Sequence, residues 1–206
     1  MSEHHDHTPP PDSDGPLSYH QRLAQALEFL LVGKGVFSAN EMRTTIEEID
    51  ASSPAEGAKL IARAWVDEKF KALLLSDANA AAAEFGIDGG DVPVVVMENT
   101  PEIHNLIVCT LCSCYPRRLI GLPPDWYKSQ NYRCRAVREP RAVIAELGTV
   151  LADNVEVRVH DSTAELRYMV LPLRPAGTNG MDEEALATLV TRDCMVGVTM
   201  PTAPSR

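Results

Sequence analysis

Three cysteines fall within six residues, in the run Val108-Cys109-Thr110-Leu111-Cys112-Ser113-Cys114-Tyr115-Pro116. In a reducing compartment, thiolates this close point to a metal ion before a disulfide. Their spacing departs from the ordinary sulfur motifs. Structural zinc takes paired C-x2-C knuckles or four Cys and His ligands, and only distant residues such as Cys134 or His104 are left to complete a set. A four-iron cluster needs C-x2-C-x2-C, whereas a single serine separates Cys112 from Cys114. Cys-Ser-Cys offers a different donor set, two sulfurs with the backbone nitrogens of Ser113 and Cys114 between them. Binding all four closes fused six- and five-membered rings and makes a square belt around one ion. Cys109, arriving from the end of an apolar run, caps one axial position and leaves the opposite one open. Deprotonated amides require a strongly Lewis-acidic trivalent ion with an octahedral preference, so Co(III) or Fe(III) suits this set better than Zn(II).

The elements that must hold this loop are legible around it. Val94-Val95-Val96-Met97 and Leu106-Ile107-Val108 read as buried strands, the second leading directly into Cys109. Val155, Val157 and Val159 alternate with Glu156 and Arg158, and Leu166, Tyr168 and Val170 follow a turn at 160–163, which predicts a β-hairpin. Upstream the text is helical. Ser18 with Gln21, Ser38 with Glu41 and Ser53 with Glu56 carry the capping-box pattern. Behind the first, Leu23, Leu27, Leu30 and Leu31 repeat at helical spacing up to Gly33 and Gly35. Met42, Ile46 and Ile49 mark a second helix, and Pro54 opens a third through Ala58, Ile61, Ala62 and Trp65. A further helical stretch runs from Phe70 through Leu73 and Leu74 to the alanines before Gly86. Helices are also expected over 140–148 and 183–190, and a final strand near 195–199. The expected division is a His- and Pro-rich leader at 1–16, a helical arm at 17–88 and an α/β metal-claw domain at 89–206.

Of the 206 residues, 45% are hydrophobic and 23% charged, with no apolar run near the roughly 20 residues of a membrane span. The net charge is −10, with Glu3, Asp6, Asp12 and Asp14 in the leader, and this acidity argues against nucleic acid as a partner. The leader lacks the basic and apolar regions of a secretory signal, so a cytoplasmic protein with reduced cysteines is expected. His4, His5 and His7 read as a solvated tail, with at most weak metal affinity. Seven basic and two acidic residues lie between Arg117 and Arg141, and a subunit interface explains them better than a nucleic-acid patch. Cys134 and Cys194 read as inert thiols and His104 as a hydrogen-bonded structural histidine. Trp126 and Tyr127 suit a pocket or the core equally.

The cysteine segment, with Ala62-Arg63-Ala64-Trp65-Val66-Asp67, Glu98-Asn99-Thr100-Pro101, Gly121-Leu122-Pro123-Pro124, Trp126-Tyr127-Lys128-Ser129 and Val137-Arg138-Glu139-Pro140-Arg141, resembles the alpha subunit of nitrile hydratase. The likeness continues through Glu156-Val157-Arg158-Val159, Ala164-Glu165-Leu166-Arg167-Tyr168, Arg174-Pro175-Ala176-Gly177-Thr178 and Thr191-Arg192-Asp193. The resemblance implies an α+β fold, a helical arm followed by a layered α-β-β-α metal-binding domain. It implies a metal held by the Cys109, Cys112 and Cys114 thiolates and the Ser113 and Cys114 amides, with Cys112, Ser113 and Cys114 as the catalytic set. In that family the residue matching Cys112 is a sulfinate and that matching Cys114 a sulfenate, both on the thiolate oxidation ladder. Thr110 and Tyr115 are the cobalt-type residues rather than the iron-type ones. The implied reaction converts a small-molecule nitrile to its amide, with a Cys114 oxygen acting as nucleophile toward nitrile or as base toward water.

The resemblance also implies partners: a beta subunit, whole or split into two chains, that supplies arginines to the oxidised sulfurs, and an activator that inserts the metal. Asp161, Glu165 and Arg167 match a polar network near the site. Arg117-Arg118 replaces the family's common Trp-Pro, which places Arg117 at the substrate pocket. Thiocyanate hydrolase, whose gamma subunit carries the same cobalt claw, is similar in having arginine there, and is the alternative reading. The short segment between Gly86 and Val94 favours nitrile hydratase. A reading of another class is a non-catalytic protein with structural zinc on Cys109, Cys112 and Cys114.

Overall fold

A computed structural model describes residues 17–204, so the His-rich leader lies outside the described residues. The chain divides into two compact units, 1–46 and 47–206. The first contains α1 (Tyr19–Gly33) and the start of α2 (Ala39–Ala51). Both begin at the expected capping boxes: Gln21 N–H donates to Ser18 Oγ at 3.2 Å, and Glu41 N–H to Ser38 Oγ at 3.1 Å. The Leu23, Leu27 and Leu30 stripe of α1 forms but is exposed, and no residue of the helix is buried.

In the second unit α3 (Pro54–Val66) starts at Ser53, which accepts from the Ala55 amide. Glu56 does not complete the box and pairs with Lys59 at 3.1 Å instead. The expected long helix after it is two helices, α4 (Glu68–Ser76) and α5 (Ala78–Ala83), because Asp77 leaves helical geometry and its carboxylate caps the Ala80 amide. These helices, grouped with the arm on texture, belong to the same unit as the strands. Leu60, Ile61, Phe70 and Leu74 are core residues.

The strands are β1 (Val94–Glu98), β2 (Ile103–Val108), β3 (Glu156–Asp161) and β4 (Arg167–Leu171). They form two parallel pairs, β1 with β4 and β2 with β3. The hairpin expected over 155–170 is therefore absent: the connection between β3 and β4 carries the chain from one sheet to the other. Period-two alternation specifies a half-buried strand without specifying its partner. Parallel pairing needs a long crossover, supplied between β2 and β3 by α6 (Arg117–Ile120), α7 (Asp125–Lys128), α8 (Gln130–Arg138) and α9 (Pro140–Glu146). Helices α4 and α5 pack on β1, β2 faces β4, and α8 and α9 pack on β2 and β3. The layers thus run α, β, β, α.

The chain closes with α10 (Glu183–Ala187) and α11 (Arg192–Val196). Helix α11 stands where a strand was expected. Thr191 caps its Cys194 amide, and Gly197, at φ 91°, ends it in the left-handed region.

A mostly buried polar chain runs through β2. His104 Nε2 donates to the Gly197 carbonyl at 2.6 Å, and Asn105 donates its amide to Asn99 Oδ1 at 2.7 Å. His160 Nε2 donates to Asn105 Oδ1 at 2.8 Å. Burial holds the His104 pKa below its ordinary value, as expected of a structural histidine.

The basic run is largely used internally. Arg118 pairs with Asp88, Lys128 with Asp125, and Arg135 with Glu139 and Glu146. Arg141 reaches the carbonyls of Ala152, Asp153 and Val155.

Candidate metal centre

Strand β2 ends at Val108, fully buried, and the chain enters the loop at Cys109, also buried. Leu111, 83% exposed, and Cys112 form the loop's outer edge, and Cys114 is half-buried before Tyr115 turns into the core. The three sulfurs lie within 4.8 Å of one another, with Cys109 to Cys112 at 3.5 Å and Cys112 to Cys114 at 3.3 Å. With metal–thiolate bonds of about 2.3 Å, adjacent sulfurs stand about 3.8 Å apart at a tetrahedral angle and about 3.3 Å apart at a right angle. The observed edges span these two values, so the three sulfurs are close enough to meet one ion. Neither Cys134, exposed on α8, nor His104, committed to Gly197, joins the cluster, so the distant ligands that a zinc set requires are not brought in. The amides of Ser113 and Cys114 point toward the Cys112 sulfur. Among the described residues they donate to no oxygen, which leaves both nitrogens for an ion.

The loop is tethered by side chains from distant segments. Asp161, at the end of β3 and in register with Val108, accepts from Thr110 N at 2.9 Å and Thr110 Oγ1 at 2.6 Å. Arg133 of α8 donates to the Thr110 carbonyl at 3.4 Å. Tyr127 of α7 donates its hydroxyl to the Cys114 carbonyl at 2.9 Å. Tyr115 is buried, edge-on to Tyr127 with ring centres 4.9 Å apart. Tyr127 and Arg133 were not identified from the sequence as holders of the loop. The Trp126-Tyr127-Lys128-Ser129 motif marked the first without revealing its contact.

A cleft of about 430 Å³ opens over the loop, lined by Cys112, Ser113, Cys114, Arg117, Arg167 and the Gly89-Gly90 turn among others. Arg117 lines this cleft, and its guanidinium makes no ion pair among the described residues. Arg167 also faces the cleft, and its positive charge favours the ionised form of Cys114. Glu165 is exposed in the β3–β4 connection, its amide on Thr163 Oγ1 at 3.3 Å, and the structure does not bring its carboxylate to the loop.

Without a metal the thiols differ sharply. Hydrogen bonds from Cys114 and Cys109, helped by the Ser113 amide, lower the Cys112 pKa to about 7. Burial, together with the hydrogen bond to Cys112, raises Cys114 to about 12. Since the thiolate is the nucleophile, iodoacetamide will alkylate Cys112 of the metal-free chain well before Cys114 at pH 7.5. The rate should fall about tenfold per pH unit below 7. Peptide mass spectrometry over a pH series reads this directly, and equal labelling of the two cysteines would contradict the asymmetry.

Comparison with known proteins agrees with this geometry. The family profile described as nitrile hydratase, alpha chain, matches residues 18–199. The alpha subunit of the low-molecular weight cobalt-containing nitrile hydratase of Rhodococcus rhodochrous is 52% identical over 186 residues, covering 88% of this chain and 89% of that one. The gamma subunit of thiocyanate hydrolase from Thiobacillus thioparus is 40% identical over 191 residues, covering 87% and 79%. A double mutant of the Fe-type nitrile hydratase from Comamonas testosteroni Ni1 superposes with a TM-score of 0.80 at 43% identity, covering 90% and 91%. With a profile match along nearly its whole length, two parallel strand pairs in the expected layers and a three-cysteine loop at the end of β2, the chain belongs to the nitrile hydratase alpha-chain family.

Proposed function

We propose that this chain is the metal-bearing subunit of a nitrile hydratase that converts a small nitrile to its amide at a cobalt(III) centre. The observation that carries the reading is the convergence of three cysteine sulfurs, with the Ser113 and Cys114 amides directed at the middle one, beside an open cleft. The proposed ligands are Cys109, Cys112 and Cys114 through sulfur, and Ser113 and Cys114 through nitrogen. Cobalt rather than iron is supported by Thr110 and Tyr115 and by the cobalt-containing Rhodococcus relative. When bound, the trivalent ion supplies a Lewis acid for nitrile and water.

The chain's own groups do the rest. Cys112, exposed and with the lowered pKa, is proposed to be oxidised by dioxygen or a peroxide to the sulfinate, a four-electron change, and Cys114 by the same oxidant to the sulfenate, a two-electron change. The oxygen that Cys114 would then carry on its sulfur, at a residue lining the cleft, takes the nucleophile or base role. Arg167 favours negative charge at that sulfur, and Asp161 holds the loop through Thr110. A beta subunit, whole or in two pieces, is proposed to close the cleft and supply cationic donors, and an activator to load the metal. No helix among the described residues is long and apolar enough to cross a membrane. A cytoplasmic location is proposed from the five unpaired cysteines.

Arg117 favours one second reading. A guanidinium without an ion pair at the cleft suits an anionic substrate, and thiocyanate is an anion bearing a nitrile group. The two readings separate on one preparation, the chain co-expressed with its beta partner in cobalt-supplemented medium. Nitrile hydratase gives amide from acetonitrile, and the Arg117→Leu variant keeps that rate within about threefold. Release of carbonyl sulfide and ammonia from thiocyanate, lost on Arg117→Leu, would establish the second reading. A wild-type complex with neither cobalt nor either activity would refute both.

A further inference from the structure

The claw loop is pinned at two places. Near its start Thr110 is held by the Asp161 carboxylate. At its end the Cys114 carbonyl accepts the Tyr127 hydroxyl at 2.9 Å. Arg133 adds a longer bond to the Thr110 carbonyl; between the two points Leu111 and Cys112 are exposed, and among the described residues the other contacts are those of the sulfurs with one another and with loop amides. Tyr127 is fully buried on α7, its ring edge-on to Tyr115 and Trp126 and tilted against Tyr132. A ring packed on three sides cannot swing, so its hydroxyl is a fixed point for the loop backbone.

We infer that Tyr127 is a positioning residue for the reaction centre, its hydroxyl fixing the backbone of Cys114 and with it the direction in which that residue's sulfur and amide nitrogen meet the metal. This rests on the reading of the loop as a metal claw. Cys114 is the last donor residue and contributes two ligand atoms. Rotation of its backbone would move sulfur and nitrogen together, and the hydrogen bond at its carbonyl opposes that rotation. Small misplacements of reacting groups carry large rate penalties.

The molecule contains its own comparator. Tyr132 of α8 is buried in the same aromatic cluster and donates its hydroxyl to the Ile107 carbonyl at 2.6 Å, on β2 behind the loop. A merely structural role for the Tyr127 hydroxyl makes Tyr127→Phe and Tyr132→Phe equivalent. A positioning role separates them.

The experiment uses the cobalt-loaded complex with the beta partner, and reads cobalt content, the visible sulfur-to-cobalt band, oxygen addition on the Cys114 peptide and melting temperature, beside kcat and KM. Tyr127→Phe is expected to keep its cobalt, shift or weaken the band, leave Cys114 incompletely oxidised and lower kcat about tenfold with KM unchanged. Tyr132→Phe is expected to lose comparable thermal stability with a wild-type band. Introducing 4-aminophenylalanine at position 127 restores an N–H donor and should restore the band. An unchanged band in Tyr127→Phe, or equal changes in the two tyrosine variants, overturns the inference. If Tyr127→Phe does not assemble, 4-aminophenylalanine and 4-methylphenylalanine at 127 fill similar space and differ in the donor. The wild-type band in the first alone supports the inference, and identical bands overturn it. A wild-type complex without cobalt or band would instead refute the metal-claw reading.

Discussion

Replacing Cys109 with serine should remove the metal and lower nitrile hydration at least about a thousandfold, because every chemical step depends on the bound ion. Cys109 is buried at the end of β2, with its sulfur 3.5 Å from that of Cys112 and accepting the Cys112 amide at 3.3 Å. A serine hydroxyl in that position is a hard donor that stays protonated, a poor substitute for thiolate toward Co(III). Cobalt content and the visible band, measured on the complex with the beta subunit, check the outcome. Cys134→Ser and Cys194→Ser should keep both, since neither sulfur belongs to the cluster. Full cobalt retention by Cys109→Ser would remove this residue from the ligand set.

The second large effect is on folding. Gly197 has φ 91°, and a Cβ there would overlap the Asn105 carbonyl oxygen and lie 3.2 Å from the Leu106 Cα. Gly197→Ala therefore adds a left-handed backbone penalty of about 1 to 3 kcal/mol to a backbone collision. Relieving the collision pushes α11 from β2 and stretches the His104 hydrogen bond to the Gly197 carbonyl. A loss of about 4 kcal/mol or more is expected, lowering the melting temperature by about 10 °C. Gly148→Ala is the control. It has φ 102° with nothing within 4 Å of its Cβ, so only the conformational penalty applies. Equal melting temperatures for the two variants would show that β2 and the residue after α11 are not in close contact.

Both effects concern β2 and the residue that follows it, where local and distant information meet. The three-sulfur cluster was readable from sequence because Cys109, Cys112 and Cys114 are near neighbours along the chain. The capping boxes at Ser18 and Ser38 were readable for the same reason, their partners being three residues away. The structural role of His104 was also anticipated, although its acceptor, Gly197, was not.

Strand pairing was beyond local reading. The alternation of Val155, Val157 and Val159 is the same whether the strand turns back on itself or lies beside β2, and only the crossover through α6 to α9 makes the parallel register available. The long helix after Phe70 was misjudged because Asp77 satisfies both a helix interior by length and a cap by chemistry, and packing selected the cap. The expected strand at 195–199 is apolar enough for either state; the Thr191 cap makes its first two residues the end of α11, and Gly197 turns the chain out of the helix.

The sequence by itself determined which atoms can bind a metal, since those donors are neighbours along the chain. Only the tertiary structure decided how the loop is held. Asp161 reaches Thr110 from another strand, Tyr127 reaches Cys114 from a crossover helix, and Arg117 and Arg167 meet at one cleft. Such contacts depend on which strands pair and which layers face each other. Those choices are made by burying apolar faces across the whole domain, and no spacing within a short segment encodes them.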